Sequence, residues 1–114
     1  MNKDFYSGFI RLHILYHAAK ESIYGLCIIK ELNRHGYEIS LGTLYPILHK
    51  MEESGYLQSQ KELVKGKNRR VYMATQLGAK VLAEAKEKVR ELFGELFIER
   101  EVCQSEKFLT EERT

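Results

Sequence analysis

The sequence contains no tryptophan, one proline and two cysteines among 114 residues. Because Cys27 and Cys103 lie far apart and in no CxxC arrangement, they can build neither a disulfide framework nor a zinc ribbon. No run of eighteen apolar residues occurs, and residues 1–8 show neither a basic segment followed by an apolar one nor a small-residue cleavage site. Together these absences predict a cytoplasmic protein that neither spans a membrane nor carries a secretory signal.

Sequence signatures of catalysis are missing as well. The chain has no Gly-x-Ser-x-Gly, HExxH or phosphate-binding glycine loop. His13, His17 and Glu21 share one helical face at four-residue steps, which suits metal binding, but no fourth ligand is evident and such spacing often arises by chance. We therefore expect no enzyme activity, no cofactor and no metal site.

Positive charge is concentrated in one short segment. Lys and Arg number 18 against 16 Asp and Glu, a net charge of +2, and the hydrophobic content of 44% fits one domain with a modest core. Residues 61–70 hold five cations and one anion, a local charge of +4. Cations on a loop can replace the counterions condensed on DNA phosphates, although an ordinary solvated turn can have the same composition.

Two helices are predicted in the first third of the chain. Apolar residues between Phe5 and Ala19 cover more than one helical face, which is typical of a helix buried on two sides. After a break at residues 20–22, helical spacing resumes over residues 24–35. This segment ends in two basic residues followed by Gly36, which is a helix stop signal.

A third helix is predicted from Ser40, a suitable N-cap, to Ser54-Gly55. Its apolar residues recur at steps of three and four. Pro46 lies inside this pattern, and by the pattern alone the helix would end at residue 44 or 45. We nevertheless predict one helix, separated from the preceding one by a tight turn at residues 36–39.

Two strands and a long helix follow. β-Branched and aromatic residues suggest strands at 56–64 and 70–74, joined by a turn-forming tip at 65–69. Thr75 can cap a last helix whose apolar residues follow a 3,4,3,4 spacing, the pattern of a helix that pairs with another helix. These residues are Leu82, Ala85, Val89, Leu92 and Leu96, flanked by Phe93.

The order of helix, turn, helix and basic hairpin is that of a winged helix-turn-helix domain. In such domains the second helix enters the major groove of DNA with its N-terminal residues near base edges. These N-terminal residues are Ser40, Gly42, Thr43 and Tyr45, with His49 and Lys50 one turn later, and the hydroxyl groups among them suit phosphates and base edges. The predicted wing comprises Lys65, Gly66, Lys67, Asn68, Arg69 and Arg70.

The predicted fold class is therefore mainly α with a small β-hairpin. A winged helix-turn-helix DNA-binding domain is expected at residues 1–74 and a C-terminal dimerisation helix at residues 75–100. A polar tail follows at residues 101–114.

A series of short motifs resembles the PadR family of transcriptional regulators. The motifs are Tyr24-Gly25, Ser40-x-Gly-Thr-Leu-Tyr-Pro, Met51-Glu52, Gly55-Tyr-Leu, Arg69-Arg70-x-Tyr72 and Thr75-x-x-Gly78. The match runs from about Phe9 to Leu82, and the string GTLYP at residues 42–46 is its most specific part.

This resemblance implies a winged helix whose last helix, together with the first, builds a homodimer, and it places Pro46 inside the recognition helix. It implies that Tyr24 and Gly25 approach the DNA backbone and that Tyr72 and Thr75 are structural. The residues implied to face DNA are Ser40, Thr43, Tyr45 and Lys50, and those implied to form the wing are Gly66, Lys67, Arg69 and Arg70. The expected dimer interface comprises Leu82, Ala85, Val89, Leu92, Phe93 and Leu96.

The expected function is a sequence-specific transcriptional regulator, a repressor that binds double-stranded DNA as a homodimer on a roughly palindromic site. Two alternatives stay open: a winged-helix module that binds a protein, and an effector or redox sensor whose DNA contact is secondary. Cys103 in the tail is the candidate redox switch, whereas Cys27 is expected to be a small buried hydrophobe.

A small aromatic effector is the candidate ligand of the sensor alternative. The resemblance implies such a role, because some PadR relatives sense flat aromatic compounds at the dimer interface. Side chains that could line a cavity there are Phe5, Tyr6, Phe9, Phe93 and Phe97. Ordinary core packing is the simpler interpretation of these residues, and the absence of tryptophan speaks against a sensing role.

Overall fold

The computed structural model describes residues 1–98, so the predicted tail at 101–114 and Cys103 lie outside the described residues. Four helices and three strands follow one another: α1 (Lys3–Lys20), β1 (Ile23–Tyr24), α2 (Gly25–Arg34), α3 (Leu41–Glu53), β2 (Leu57–Val64), β3 (Lys67–Ala74) and α4 (Gln76–Phe97). This arrangement confirms the predicted fold class. The chain divides into two compact units, Met1–Ala83 and Glu84–Thr114, and α4 contributes to both.

The first unit has a continuous apolar core between the helices and the sheet. Helices α1, α2 and α3 each contribute residues at helical spacing, and the sheet and the first turns of α4 complete it. The core residues that are buried are Ile10, Ile14, Leu15, Ala18, Ile23, Ile28, Leu32, Ile39, Leu44, Leu48, Met51, Leu57, Tyr72 and Leu82. This core holds α3 in place, so that its polar face is presented on a rigid support.

The turn between α2 and α3 depends on Gly36. Its N–H donates to the carbonyl of Asn33, and the N–H of Tyr37 donates to the carbonyl of Leu32, which together form a Schellman motif. Gly36 has a φ of +89°, a conformation that residues with a side chain rarely adopt. The predicted helix stop is therefore confirmed, and residues 35–40 connect α2 to α3.

Helix α3 runs through Pro46, as the resemblance implied. A proline at this position removes the hydrogen bond from its own nitrogen to the carbonyl of Gly42, four residues earlier. Gly42 is exposed, so that carbonyl lies on the side of the helix that water can reach. The helix is anchored on its other side by the buried residues Leu44, Leu48 and Met51.

The sheet has three strands, in the order β1-β3-β2, where the sequence predicted two. Strand β1 is the short segment Ile23–Tyr24, which pairs antiparallel with Tyr72 and Val71 of β3. It comes directly after the predicted break at residues 20–22 and includes Tyr24, which was predicted as the start of the helix. Pairing with a strand almost fifty residues away leaves no periodic signal in two residues, so the prediction missed it.

The turn at the tip of the hairpin is shorter than predicted. Lys65 and Gly66 alone connect the strands, with φ values of 51° and 78°, and Val64 is paired directly with Lys67. Two positive φ values are typical of a type I′ turn, which matches the right-handed twist of the strands. The predicted five-residue tip at 65–69 was therefore wrong, because Lys67, Asn68 and Arg69 belong to β3.

The start of α4 is fixed to the end of α3 by Thr75, as its predicted capping role requires. The Thr75 hydroxyl accepts a hydrogen bond from the N–H of Gly78 at 3.0 Å and donates one to the carbonyl of Gly55 at 2.5 Å. The N–H of Thr75 in turn donates to the carbonyl of Tyr56. One residue thereby caps one helix and satisfies a carbonyl just beyond another.

The predicted dimerisation stripe is divided between the two units. Leu82 is 7% exposed and belongs to the core of the first unit. In the second unit, Val89, Leu92 and Leu96 are 44%, 46% and 63% exposed. Phe93 and Phe97 contact each other at a centroid distance of 4.9 Å and are exposed as well.

None of the helices within residues 1–98 is both long and apolar enough to span a membrane.

A cluster of histidines joins α1 to the end of α2. His13 stacks on His35 at a centroid distance of 4.8 Å and lies 6.4 Å from His17. Glu31 accepts a hydrogen bond from Arg34 and lies 3.2 Å from Nε2 of His35 and 3.9 Å from Nε2 of His17. Burial lowers the pKa of His13, and the neighbouring His35 and His17 lower it further, against an opposing effect of Glu31.

This cluster predicts a loss of stability in mild acid. A histidine whose pKa is lowered by folding favours the folded state fully above its ordinary pKa of about 6.5, and that contribution declines as the pH falls through and below this value. We expect the melting temperature to fall between pH 7.5 and pH 5.0, and to fall less in His13→Phe, which keeps an aromatic ring on His35. Equal falls in both proteins would contradict this prediction. Glu31, whose pKa is lowered chiefly by Arg34, titrates below this window.

Candidate nucleic-acid interface

One side of α3 is polar and open. Its exposed residues Gly42, Tyr45, Pro46, His49 and Lys50 recur at steps of three and four, so they lie on one helical face, opposite the buried leucines. Of the residues predicted for this helix, Gly42, Tyr45, His49 and Lys50 are thus brought onto a common surface. A helix with such a face can lie in a groove of DNA while its other side stays in the core.

The N-terminus of α3 carries two hydroxyl groups. Ser40 is the N-cap and accepts a hydrogen bond from the N–H of Thr43 at 3.3 Å. Its hydroxyl also lies 3.4 Å from that of Thr43. Gly42 is surrounded by open space apart from Ser40, whose oxygen would be 3.7 Å from an added Cβ. A phosphate or a base edge can therefore approach the helix backbone closely here.

Tyr45 lies across the start of α2. A Cβ added to Gly25 would come within 2.5 Å of the Tyr45 hydroxyl oxygen and within 2.9 Å of its ring. Gly25 is buried, so the absence of a side chain there makes room for the tyrosine of α3. The resemblance implied that Gly25 approaches DNA, whereas the geometry assigns it a further task, which is to seat Tyr45 between the two helices.

Arg69 connects the wing to the same region. Its guanidinium carbon lies 4.7 Å from the centroid of the Tyr24 ring, a cation–π geometry. The pairing of Tyr24 with Val71 places Tyr24 diagonally opposite Arg69 on one face of the sheet. Arg69 is half-buried, and its Nε has no hydrogen-bond partner among the described residues. The side chain is thus held against the start of α2 rather than extended from the wing tip.

The lysines of the β2–β3 hairpin, which forms the wing, extend into solvent. Lys61, Lys65 and Lys67 are exposed, and within residues 1–98 none of them lies within 4.0 Å of a carboxylate oxygen. Asn68 is exposed beside them. These side chains supply uncompensated positive charge at the end of the hairpin, where a backbone phosphate can meet it.

Glu52 and Ser59, which were not predicted as site residues, join the wing to α3. The hydroxyl of Ser59 on β2 donates to Oε2 of Glu52 at 2.7 Å and accepts from Nη1 of Arg70 at 3.0 Å. The buried phenol of Tyr72 lies beside them; burial raises the pKa of Tyr72, Glu52 adds to the rise and Arg70 opposes it. The one sign of this contact in the sequence is that Glu52 belongs to the Met51-Glu52 motif. Contacts between a helix and a strand leave no periodic pattern.

The remaining candidates fall elsewhere. His13 and His17 lie in the cluster between α1 and α2, and Glu21 is the C-cap of α1. Within the described part of the chain, no group of three or more His, Cys, Asp or Glu side chains has a metal-binding arrangement. Cys27 is half-buried, and its thiol accepts from the N–H of Tyr24 and donates to the carbonyl of the same residue, so it closes the start of α2.

Comparison with known proteins identifies the family of this chain. The profile described as "Transcriptional regulator PadR-like family" matches residues 14–84, which include α2, α3, the wing and the start of α4. The chain belongs to the PadR-like family of transcriptional regulators. The resemblance drawn from the motifs is thereby confirmed, and the family is one of DNA-binding regulators, not of enzymes.

Individual relatives agree with this assignment. The chain is 45% identical over 94 residues to Transcriptional regulator Rv3488 of Mycobacterium tuberculosis, covering 82% of this chain and 88% of the relative. A PadR family regulator from Eggerthella lenta superposes with a TM-score of 0.68 at 30% identity, covering 78% and 79% of the two chains. A PadR-like regulator from Bacillus cereus gives 0.73 at 27% identity, covering 78% and 88%. These structures confirm the winged-helix fold of this PadR-like chain.

Proposed function

We propose that this PadR-like regulator binds a roughly palindromic operator as a homodimer and represses transcription by occluding a promoter. The recognition helix is α3, whose N-terminal residues Ser40 and Thr43 face base edges. The wing contacts the flanking phosphates through Lys65 and Lys67. The observation that carries the proposal is the exposed face of α3, which carries Tyr45, His49 and Lys50 and is anchored by a buried opposite side.

The exposed apolar stripe in the second unit supports the proposed homodimer. Val89, Leu92, Phe93 and Leu96 lie on a helix at heptad spacing and are all more than 40% exposed. A stripe of this length is typical of a helix that packs against a second copy of itself. Two subunits related by a twofold axis would present two copies of α3 to successive major grooves, about one helical turn of DNA apart.

The test begins with an operator obtained from a random-sequence duplex library by selection with the purified protein. Fluorescence anisotropy then compares the selected duplex with a scrambled duplex over a series of salt concentrations. We expect a clear preference for the selected duplex and a steep fall in affinity with salt, because phosphate contacts release counterions. Enrichment of no sequence, together with no binding at low salt, would favour a protein-binding winged-helix module instead.

Two substitutions assign the parts of the interface. Lys67→Ala should weaken binding to both duplexes and reduce the salt slope by about 1.8, because one phosphate contact is lost from each of two subunits. Thr43→Ala should chiefly reduce the preference for the operator. Lys80→Ala, which removes an exposed lysine on α4, is the matched control and should leave the slope unchanged. A wild-type slope in Lys67→Ala would show that the wing is assigned wrongly.

A further inference from the structure

Glu52, Ser59 and Arg70 form a chain of hydrogen bonds that crosses from the recognition helix to the far strand of the wing. Glu52 lies on α3, Ser59 on β2 and Arg70 on β3. The Ser59 hydroxyl has one hydrogen, which it donates to Glu52, and its oxygen accepts from Arg70. The hydroxyl therefore acts as donor and acceptor at once, and each of its partners is charged.

The strand register explains why Arg70 needs this arrangement. Arg70 is paired directly with Lys61 on β2, so two cations stand opposite each other on neighbouring strands. Like charges in this position destabilise a hairpin. Ser59 lies diagonally across, two residues from Lys61, and its hydroxyl holds the guanidinium of Arg70 by the same oxygen that donates to the carboxylate of Glu52. The wing can then keep Lys61, Lys65 and Lys67 exposed for phosphates.

We propose that Glu52 and Ser59 are positioning residues for DNA recognition: through Arg70 they fix the orientation of the wing relative to the recognition helix. This inference rests on the proposed function. A specific site requires the helix and the wing to be in register with the DNA at once, whereas non-specific binding requires only positive charge near phosphates. Loss of the hydroxyl bridge removes no charge, so it should lower affinity for the operator and spare affinity for unrelated DNA.

The test compares Ser59→Ala with Ser59→Thr on the selected duplex and on the scrambled one. Ser59→Ala should lower operator affinity about tenfold or more, which is what the loss of hydrogen bonds to charged groups is expected to cause. Affinity for the scrambled duplex should stay within about twofold of the wild type. Ser59→Thr keeps a hydroxyl on a β-branched residue that suits a strand, and it should restore the preference. Lys67→Ala, by contrast, should weaken binding to both duplexes.

A second pair of variants separates the bridge from net charge. Glu52→Gln and Glu53→Gln each remove one negative charge at neighbouring positions of α3, but Glu53 is exposed and makes no side-chain hydrogen bond within the described residues. Glu53→Gln should change affinity for both duplexes alike, whereas Glu52→Gln should reduce the ratio of the two affinities several-fold. Thermal unfolding of every variant reports whether the fold is retained.

The outcomes separate this inference from the function on which it depends. If the wild-type protein shows no preference for any duplex, the proposed function fails and the variants are not needed to show it. If the wild type discriminates and Ser59→Ala discriminates equally well, the positioning role is overturned and the function stands. An equal loss in Ser59→Ala and Ser59→Thr would assign the effect to packing and would also overturn it. A variant that is only destabilised would contain fewer folded molecules, so its apparent affinity would fall equally for both duplexes.

Discussion

Replacement of Gly78 with alanine is expected to lower the free energy of unfolding by about 3 kcal/mol. A Cβ at this position would lie 2.2 Å from the carbonyl oxygen of Tyr56 and 3.2 Å from Cδ1 of Leu15. The Tyr56 carbonyl accepts the N–H of Thr75, so it cannot move aside without breaking the contact that joins α4 to the wing. The obstacle is backbone, and no change of rotamer relieves it.

By helix propensity alone, replacing Gly78 with alanine would raise the free energy of unfolding. Gly78 lies in the first turn of α4, and alanine stabilises a helix interior by about 1 kcal/mol relative to glycine. Thermal unfolding at a fixed protein concentration decides between the two effects, because a net loss of this size should lower the melting temperature by about 10 °C or more. An unchanged or higher melting temperature would contradict the close approach of α4 to Tyr56.

Gly8→Ala is the matched control. Gly8 lies in α1, is exposed, and has no atom within 4 Å of an added Cβ. We expect the unhindered helical gain at this position, about 0.5 to 1 kcal/mol of added stability. The same substitution in two helices of one chain should thus change stability in opposite directions, because only one of the two sites faces a backbone carbonyl.

Local patterns were sufficient to predict the helices. The apolar spacing of α1, α2 and α3 and the cap residues Ser40 and Thr75 predicted these elements within a few residues, because each signal lies within the element itself. Pro46 is the exception. A proline favours a helix end locally, but the buried residues on the far side of α3 outweigh one lost hydrogen bond on its exposed side. The family motif supplied that information and periodicity did not.

Non-local pairing was the part that the sequence did not reveal. Strand β1 exists because Ile23 and Tyr24 meet β3, and neither residue carries a sign of that pairing. The tip of the wing was predicted too long because Lys67, Asn68 and Arg69 are polar and look like loop residues. A polar strand at the edge of a domain differs from a loop only in its partner, which is on another strand.

The candidate interface shows the same division. The polar face of α3 follows from helical geometry, so residues such as Gly42, His49 and Lys50 could be selected from sequence. The arginines of the wing were grouped with the lysines by charge, yet Arg69 lies on Tyr24 and Arg70 is tied to Ser59. Which cation faces solvent depends on contacts between elements, and composition alone does not contain that distinction.

Replacement of both Leu92 and Leu96 with glutamine is expected to raise the dissociation constant of the dimer about a thousandfold or more. In the proposed dimer each leucine is removed from water, and the double variant loses two of them from each subunit. Glutamine forms helices nearly as well as leucine, so the change should act on the interface and leave α4 intact. Sedimentation velocity over a range of protein concentrations measures the shift from dimer to monomer.

The matched control places the same residues beside the stripe. Glu91→Gln with Glu95→Gln adds two glutamines at the neighbouring exposed positions, and it should leave the dimer unchanged. Because a single recognition helix holds only half of a palindromic site, the leucine variant should also lose operator affinity while it keeps weak binding to any duplex. If the leucine variant sediments as a dimer as tight as the wild type, the exposed stripe of the second unit is not the interface, and the two half-sites must be joined through other residues.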